Sequence, residues 1–419
     1  MQIKCYPSTI EGKLNAPASK SMTIRALAAA FLSSGTSTLI RTSHCTDALD
    51  ALAIIQNLGA VVISGGGETT ISGGFLPRSQ QINCGESGLA MRMFAPIAAL
   101  HRNEFKFIGS GSLVKRPIAM IGEALQQLGT DFYCSEGYLP FRVKGPLKGG
   151  NISIDGSISS QLLTGLLMAL PLAENDSEIR VNKLKSKPYV DITLQLLMDF
   201  GIHIEHENHE IFSIKGCQNY TARNYIIEGD WSGAAFLLVA GAINGKLSIC
   251  KISLSSNQAD KAILEALNRA GAKFNLKPDA IEVEKSTLHA FSFDASDCPD
   301  LFPPLSVLAA NCSGTSTITG VDRLVHKESN RAQTILKTLT EMGIQASRQG
   351  NSLMIKGGKI KGTLVHSHND HRIAMMSAVL SLNADKPVTI DGAECIAKSY
   401  PAFFNDMKRL GMKLEELTN

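Results

Sequence analysis

Lysine and arginine recur where helix starts ordinarily repel them. Segments opening small-apolar helical stretches read Ala18-Ser19-Lys20-Ser21 with Arg25, Gly85-Glu86-Ser87-Gly88 with Arg92, Ser159-Ser160-Gln161, Asp230-Trp231-Ser232, Cys298-Pro299-Asp300 and Asn369-Asp370-His371-Arg372. A second set reads Val114-Lys115-Arg116-Pro117, Ser186-Lys187-Pro188-Tyr189, His326-Lys327-Glu328-Ser329-Asn330-Arg331 and Ala397-Lys398-Ser399-Tyr400-Pro401. A helix N-terminus presents unpaired N–H donors and about half a positive charge, which suits an anion and disfavours a cation. One such cation is ordinarily a solvated surface residue. Recurrence at equivalent places implies instead a ligand with several negative groups, gripped bidentately by Arg and by Lys as a point charge or proton carrier. Ser21 and Arg25, like Lys327 and Arg331, are four residues apart and share a helical face. Asp300 and Glu328 stand among these cations, where a carboxylate can take a proton from a substrate hydroxyl. The plainer roles remain open: an N-cap for Asp300 and a surface ion pair for Glu328.

The elements that must position these residues repeat. A small-apolar helix, a short Ser/Thr/Val/Ile strand and a second helix ending in an apolar residue plus Gly recur six times, at Gly59, Gly129, Gly201, Gly271, Gly343 and Gly411, spaced 68–72 residues apart. Gly is the residue that takes the left-handed position after a helix without a Cβ penalty. Ile24, Leu27, Ala28, Phe31 and Leu32, and Ile118, Ile121, Leu125 and Leu128, trace helical stripes that predict one buried face each. Six units divide naturally into two α/β domains of three. The expected division is residues 1–14 with 229–419 against 15–228, with hinge crossings near 12–15 and 227–230. A strand from residues 2–10 is expected to join the second domain, and the chemistry to lie in the cleft between domains.

Composition excludes other classes. The chain has 419 residues, 44% hydrophobic, with 41 Lys+Arg against 38 Asp+Glu and a formal charge of +3. Disorder, collagen and coiled coil do not fit, and nothing global favours nucleic acid or an anionic membrane. The nine cysteines show no C-x-x-C pair, so neither a disulfide framework nor a Cys-based zinc site is expected. His366, His368 and His371 lack the spacing of a metal helix, and neither a phosphate loop nor a dinucleotide fingerprint occurs. No metal or cofactor is expected. Met1-Gln2-Ile3-Lys4 leads into polar sequence without a signal-peptide pattern, and the apolar run 162–172 is too short to span a bilayer. The expectation is a reduced, cytoplasmic, monomeric protein.

Taken in order, the motifs Ala18-Ser19-Lys20-Ser21 with Arg25, Gly88-Leu89-Ala90-Met91-Arg92, Lys115-Arg116-Pro117-Ile118, Ser159-Ser160-Gln161, Ser186-Lys187-Pro188-Tyr189, Glu228-Gly229-Asp230, Pro299-Asp300, Lys327-Glu328 with Arg331, Asn369-Asp370-His371-Arg372 and Lys398 resemble those of the EPSP synthases (3-phosphoshikimate 1-carboxyvinyltransferases). The resemblance spans nearly the whole chain. It implies two domains, each of three βαβαββ-like repeats in the inverted α/β barrel of the enolpyruvyl transferases. It also implies transfer of the enolpyruvyl group of phosphoenolpyruvate to the 5-hydroxyl of shikimate 3-phosphate, with release of phosphate. By the same resemblance Lys20, Ser21, Arg25, Ser159, Ser160, Gln161, Ser186, Asp300 and Lys327 hold shikimate 3-phosphate. Lys20, Gly88, Arg116, Gln161, Arg331, Arg372 and Lys398 hold phosphoenolpyruvate. Asp300 is the implied base for the 5-hydroxyl, and Lys20 and Glu328 handle the proton at the methylene carbon.

Four positions depart from the family pattern: Glu86 where Asn is frequent, Leu89 for Thr, Arg323 for Asn and Asn330 for Asp. The first two flank the phosphoenolpyruvate side and leave the response to glyphosate open. The UDP-N-acetylglucosamine enolpyruvyl transferases share the fold and chemistry, but that family carries Lys-Asn where this chain has Lys20-Ser21 and a reactive Cys where it has Gly111. An RNA-binding relative of similar architecture is opposed by the 6% aromatic content and the missing basic stripe.

Overall fold

A computed structural model describes residues 1–157, 159–325 and 327–417. The chain forms two compact units, Ala18–Ile227 and Met1–Pro17 with Glu228–Asn419. The first holds helices α1 (Lys20–Leu32), α2 (Thr46–Leu58), α3 (Gly88–Ala98), α4 (Ala119–Gln127), α5 (Gln161–Ala169) and α6 (Lys187–Asp199). The second holds α7 (Trp231–Asn244), α8 (Ile263–Arg269), α9 (Phe302–Ala310), α10 (Arg331–Glu341), α11 (His371–Ser381) and α12 (Phe403–Arg409).

Each unit carries three four-stranded sheets built to one plan. In the repeat around α3 and α4, Gln81–Asn83 runs parallel to Glu104–Ile108, which pairs antiparallel with Phe141–Lys144, itself antiparallel to Asp131–Cys134. This is a βαβαββ unit. The first strand of the first repeat comes from the far end of its unit, where Asn224–Ile226 lies parallel to Thr36–Ile40. In the other unit the N-terminus supplies two strands rather than the single one expected. Gln2–Cys5 lies between Val388–Asp391 and Leu414–Leu417, and Ile10–Asn15 runs parallel to Gly245–Cys250. The second of these moves the unit boundary just past the expected residue 14. Ala16 N donates to Cys250 O and Asp230 N to Pro17 O, each at 2.7–2.8 Å, so Ala16 and Pro17 stay with this unit.

The first helix of each repeat departs from the one-sided stripe. Every residue of α3 and of α11 is buried, as are Met22–Phe31 of α1. A helix apolar on all sides belongs inside, and runs such as Ala28-Ala29-Ala30 let neighbours approach closely. The second helices keep the predicted exposed face; in α4, Ile121 and Leu125 are buried while Ile118 and Leu128 are its caps. All six repeat glycines have positive φ, from 78° to 125°. At Gly59 a Cβ would also lie 2.5 Å from Leu76 N. Among the described residues no helix is long and apolar enough to cross a membrane.

Candidate active site

In the unit Ala18–Ile227, the starts of α1, α3, α5 and α6 carry one group of site residues. Ser19 caps α1, accepting from Met22 N at 3.4 Å, and places Lys20 on the first turn, where its Nζ reaches Asp47 Oδ2 at 3.0 Å. Asp50 lies near by; burial, then Asp47 and Glu86, push its carboxyl up to about 6. Arg25 is fully buried and held by neutral acceptors: Nε donates to Thr193 Oγ1 at 2.9 Å, Nη1 to Ser21 O at 3.0 Å, and Nη2 to Tyr189 O at 3.3 Å and Thr164 Oγ1 at 3.4 Å. Burial lowers its pKa to about 10, so it keeps its charge at neutral pH with no carboxylate in hydrogen-bond reach among the described residues. Ser186, the N-cap of α6, holds φ at 56°, a conformation that costs a non-glycine residue of order 1 kcal/mol or more and that clusters at functional sites.

A second pair of guanidiniums meets over Gly88. A Cβ there would stand 2.7 Å from Arg116 Nη1 and 2.9 Å from Arg92 Nη1, so only glycine permits the approach. Arg92 Nη1 donates to Gln161 Oε1 at 2.9 Å and Arg116 Nη2 to Ser112 Oγ at 3.2 Å. Arg92 Nε is buried without a partner among the described residues, and burial with the like charge of Arg116 brings its pKa to about 10. Two buried cations thus lie side by side, Arg92 against an amide oxygen and Arg116 against a hydroxyl. Glu86 explains one departure from the family pattern: its Oε2 accepts from Ser112 N at 3.1 Å and so anchors the 3₁₀ turn Gly111–Lys115 that leads into Arg116. At Gly111, φ is 55° and a Cβ would fall 2.2 Å from the Glu86 carboxylate. A side chain there would require Glu86 to move.

In the other unit, the starts of α9, α10 and α11 converge on Asp300. Its Oδ1 accepts from Arg331 Nη1 at 2.8 Å and faces Lys327 Nζ at 3.5 Å, while Oδ2 accepts from Arg372 Nη2 at 2.9 Å. Arg331 also donates to Glu328 Oε2 and grips Asp370 bidentately, Nε to Oδ2 at 3.0 Å and Nη2 to Oδ1 at 3.2 Å, with both side chains wholly buried. Asp370 caps α11 as well, accepting from Arg372 N at 3.0 Å. Lys398 Nζ donates to Asn369 O at 2.8 Å. Burial alone would raise the Asp300 carboxyl. Arg372, Lys327 and Arg331 outweigh it and hold Asp300 well below the usual carboxylate range. Burial lowers the pKa of Lys327, partly offset by Asp300. Asp300 sits in the 3₁₀ turn Pro299–Leu301 rather than capping α9, and Glu328 is about four-fifths buried rather than a surface partner.

The sequence-selected residues thus fall into two sets. Lys20, Ser21, Arg25, Gly88, Arg116, Ser159, Ser160, Gln161 and Ser186 lie in one unit; Asp300, Lys327, Glu328, Arg331, Arg372 and Lys398 lie in the other. Ser159 Oγ accepts from Gln161 N at 3.2 Å at the start of α5. Asn330 caps α10 by accepting from Gln333 N at 3.4 Å, a task Asn and Asp perform about equally. Three supports carried no sequence signal: Thr164 and Thr193 behind Arg25, and Asp47 opposite Lys20. His366 pairs with Asp391 at 2.9 Å and His371 is buried, and the described residues contain no grouping of His, Cys, Asp or Glu that could hold a metal ion.

The family model described as EPSP synthase (3-phosphoshikimate 1-carboxyvinyltransferase) matches residues 5–407. The chain belongs to the EPSP synthase family. It is 37% identical over 424 residues to the 3-phosphoshikimate 1-carboxyvinyltransferase of Clostridium botulinum (strain Eklund 17B / Type B), covering 99% of this chain and 98% of that one. It is 38% identical over 429 residues, with the same coverage, to that of Clostridioides difficile (strain 630). An EPSP synthase structure from Acinetobacter baumannii superposes with a TM-score of 0.84 at 27% identity over 99% of both chains. The enolpyruvyl transferase NikO from Streptomyces tendae shares the fold, with a TM-score of 0.81 at 16% identity over 100% of this chain and 99% of that one. The fold is therefore the α/β fold of the enolpyruvyl transferases, and as a family member the chain is a transferase.

Proposed function

We propose that the two sets of residues divide the work of a 3-phosphoshikimate 1-carboxyvinyltransferase. The reaction transfers the enolpyruvyl group of phosphoenolpyruvate to the 5-hydroxyl of shikimate 3-phosphate and releases phosphate, a step of the shikimate pathway to chorismate and the aromatic amino acids. Each substrate carries a phosphate and a carboxylate, which answers the buried guanidiniums of Arg25, Arg92 and Arg116. In this reading Lys20, Ser21, Arg25, Ser159, Ser160, Gln161, Ser186, Asp300 and Lys327 hold shikimate 3-phosphate. Lys20, Gly88, Arg116, Gln161, Arg331, Arg372 and Lys398 hold phosphoenolpyruvate.

The observation that carries the mechanism is the ring of Lys327, Arg331 and Arg372 around Asp300. Without substrate, Asp300 is an anion quenched by cations and a poor base. Substrate anions that draw Arg372 and Lys327 toward themselves weaken that quenching and restore basicity where the 5-hydroxyl proton must go. Lys20 and Glu328 then serve the methylene carbon, which gains a proton on addition and loses one on elimination. The preorganised cations stabilise charge in the tetrahedral intermediate.

The proposal needs both units to act on one substrate pair, so they function as two domains, with closure driven by ligand and hinges at the chain crossings Pro17–Ala18 and Ile227–Glu228. Phosphoenolpyruvate or glyphosate added with shikimate 3-phosphate should reduce the radius of gyration in solution scattering, and an unchanged radius would contradict closure. A monomer working in the cytoplasm without metal, nucleic acid or membrane completes the reading. The deciding assay is phosphate release. It should require both shikimate 3-phosphate and phosphoenolpyruvate, and release with UDP-N-acetylglucosamine in place of the former would overturn the assignment.

A further inference from the structure

Beside the Asp300 cluster lies a carboxyl that the reaction as described leaves unused. Asp260, in the 3₁₀ turn Ala259–Ala262, is 1% exposed. Its Oδ2 accepts from the Ser232 hydroxyl, and its Oδ1 is buried with no hydrogen-bond partner among the described residues. Ser232 is fixed in turn, its N–H donating to Asp230 Oδ1 at 2.9 Å at the start of α7. The charged and titratable groups acting on Asp260 are Asp300 from the turn before α9, Arg372 from α11 and Asp230 from α7; the Cys298 thiol feels its charge in return.

An ionised carboxylate in this place would leave one anionic oxygen bare in a water-poor interior, a cost that buried groups ordinarily avoid by taking up a proton. A neutral acid can donate to Ser232 Oγ through the same short contact and leaves only a carbonyl oxygen unpaired, which is far cheaper. We propose that Asp260 is a positioning residue that stays neutral beside Asp300, so that Asp300 alone holds the negative charge facing Arg372 and the Arg372 guanidinium remains available to the phosphoenolpyruvate anion. Burial, reinforced by the charge of Asp300, raises the Asp260 carboxyl, with Arg372 and the Ser232 hydroxyl opposing. Two adjacent carboxyls whose surroundings drive them in opposite directions are a recurrent way to keep one acid and one anion in a single site. Ionisation of Asp260 sets a second anion against Asp300 for Arg372 and loosens the hold on phosphoenolpyruvate. This inference rests on the assignment of Arg372 to that substrate.

The sign follows directly. The neutral form is the competent one, so affinity for phosphoenolpyruvate falls as pH rises through the Asp260 pKa, by up to about tenfold per pH unit for a single ionisation. The test compares wild type, Asp260→Asn and Asp260→Ala by phosphate release from about pH 6 to pH 9, with KM for phosphoenolpyruvate and kcat determined separately. Asp260→Asn imitates the neutral acid. It should keep kcat within about threefold of wild type at the acidic end and delay the rise in KM by at least about one pH unit. Asp260→Ala should lose affinity across the range. A KM profile for Asp260→Asn that overlays wild type, or a KM raised at least tenfold at every pH, would overturn the proposal, the latter by showing that an ionised Asp260 is needed. A second readout is independent of turnover: the infrared difference spectrum, wild type minus Asp260→Asn at neutral pH, should contain the carbonyl stretch of a protonated carboxyl. Its absence overturns the proposal. Absence of phosphate release by wild type would instead sink the functional reading, and the infrared spectrum would still decide the state of Asp260.

Discussion

The arginines of the two units are kept in opposite electrostatic states. Arg25 and Arg92 are buried among hydroxyls, amides and carbonyls, whereas Arg331 and Arg372 are buried against Asp300, Glu328 and Asp370. A buried cation with neutral partners is unfavourable until an anion arrives, so the first set stores affinity. A cation already neutralised by carboxylates gains less from an anion, but it fixes those carboxylates in place and holds their charge, so the second set is suited to proton transfer. On the proposed function the contrast distinguishes guanidiniums that await an anion from the carboxylate cluster around Asp300, in two regions that both read, at the sequence level, as Lys and Arg near helix starts.

Substitutions can break this contrast in graded steps. Asp370→Ala removes the bidentate partner of a wholly buried arginine and the cap of α11. It should destabilise the protein by about 3–5 kcal/mol, visible as a lower midpoint in denaturant. Arg116→Ala does the reverse. It relieves a like-charge pair, so stability should hold or rise while phosphoenolpyruvate binding weakens by about 1.5–3 kcal/mol, read as KM against melting temperature; a parallel loss of stability would place Arg116 with the neutralised set. Thr193→Val deletes the acceptor of Arg25 Nε. A cost of about 1–3 kcal/mol is expected, with weaker shikimate 3-phosphate binding in calorimetry. Asn330→Asp exchanges one good N-cap for another, and thermal unfolding should move by less than about 0.5 kcal/mol. A larger shift would mean that Asn330 serves Arg331 directly.

The sequence exposed the starts of these helices because their residue types contradict their position: a cation does not sit on a helix dipole without cause. The same signal marked Arg372, whereas Asp300 and Glu328 took their roles from the family resemblance alone. What it hid lies far along the chain. Thr193 supports Arg25 from 168 residues away, and a threonine within a helix has no periodicity to mark it. Asp370 stood in a recognised motif, yet its grip on Arg331, 39 residues back, exists only in three dimensions. Asp260 follows an unremarkable Gln-Ala pair, and its burial alone makes it informative. The stripe pattern likewise misjudged α1, because a helix enclosed on every side has no exposed face for periodicity to reveal. The second N-terminal strand, Ile10–Asn15, escaped notice since register across a sheet leaves little trace in a short segment.

The division of labour is tested most directly at Asp300. Asp300→Ala should bind shikimate 3-phosphate in calorimetry within about tenfold of wild type, since Arg25 and its companions are untouched. Its kcat for phosphate release should fall by about 10²–10⁴-fold, the usual worth of a general base. A kcat near that of wild type would remove Asp300 from the chemistry and with it the claim that the carboxylate-bound arginines mark the site of proton transfer.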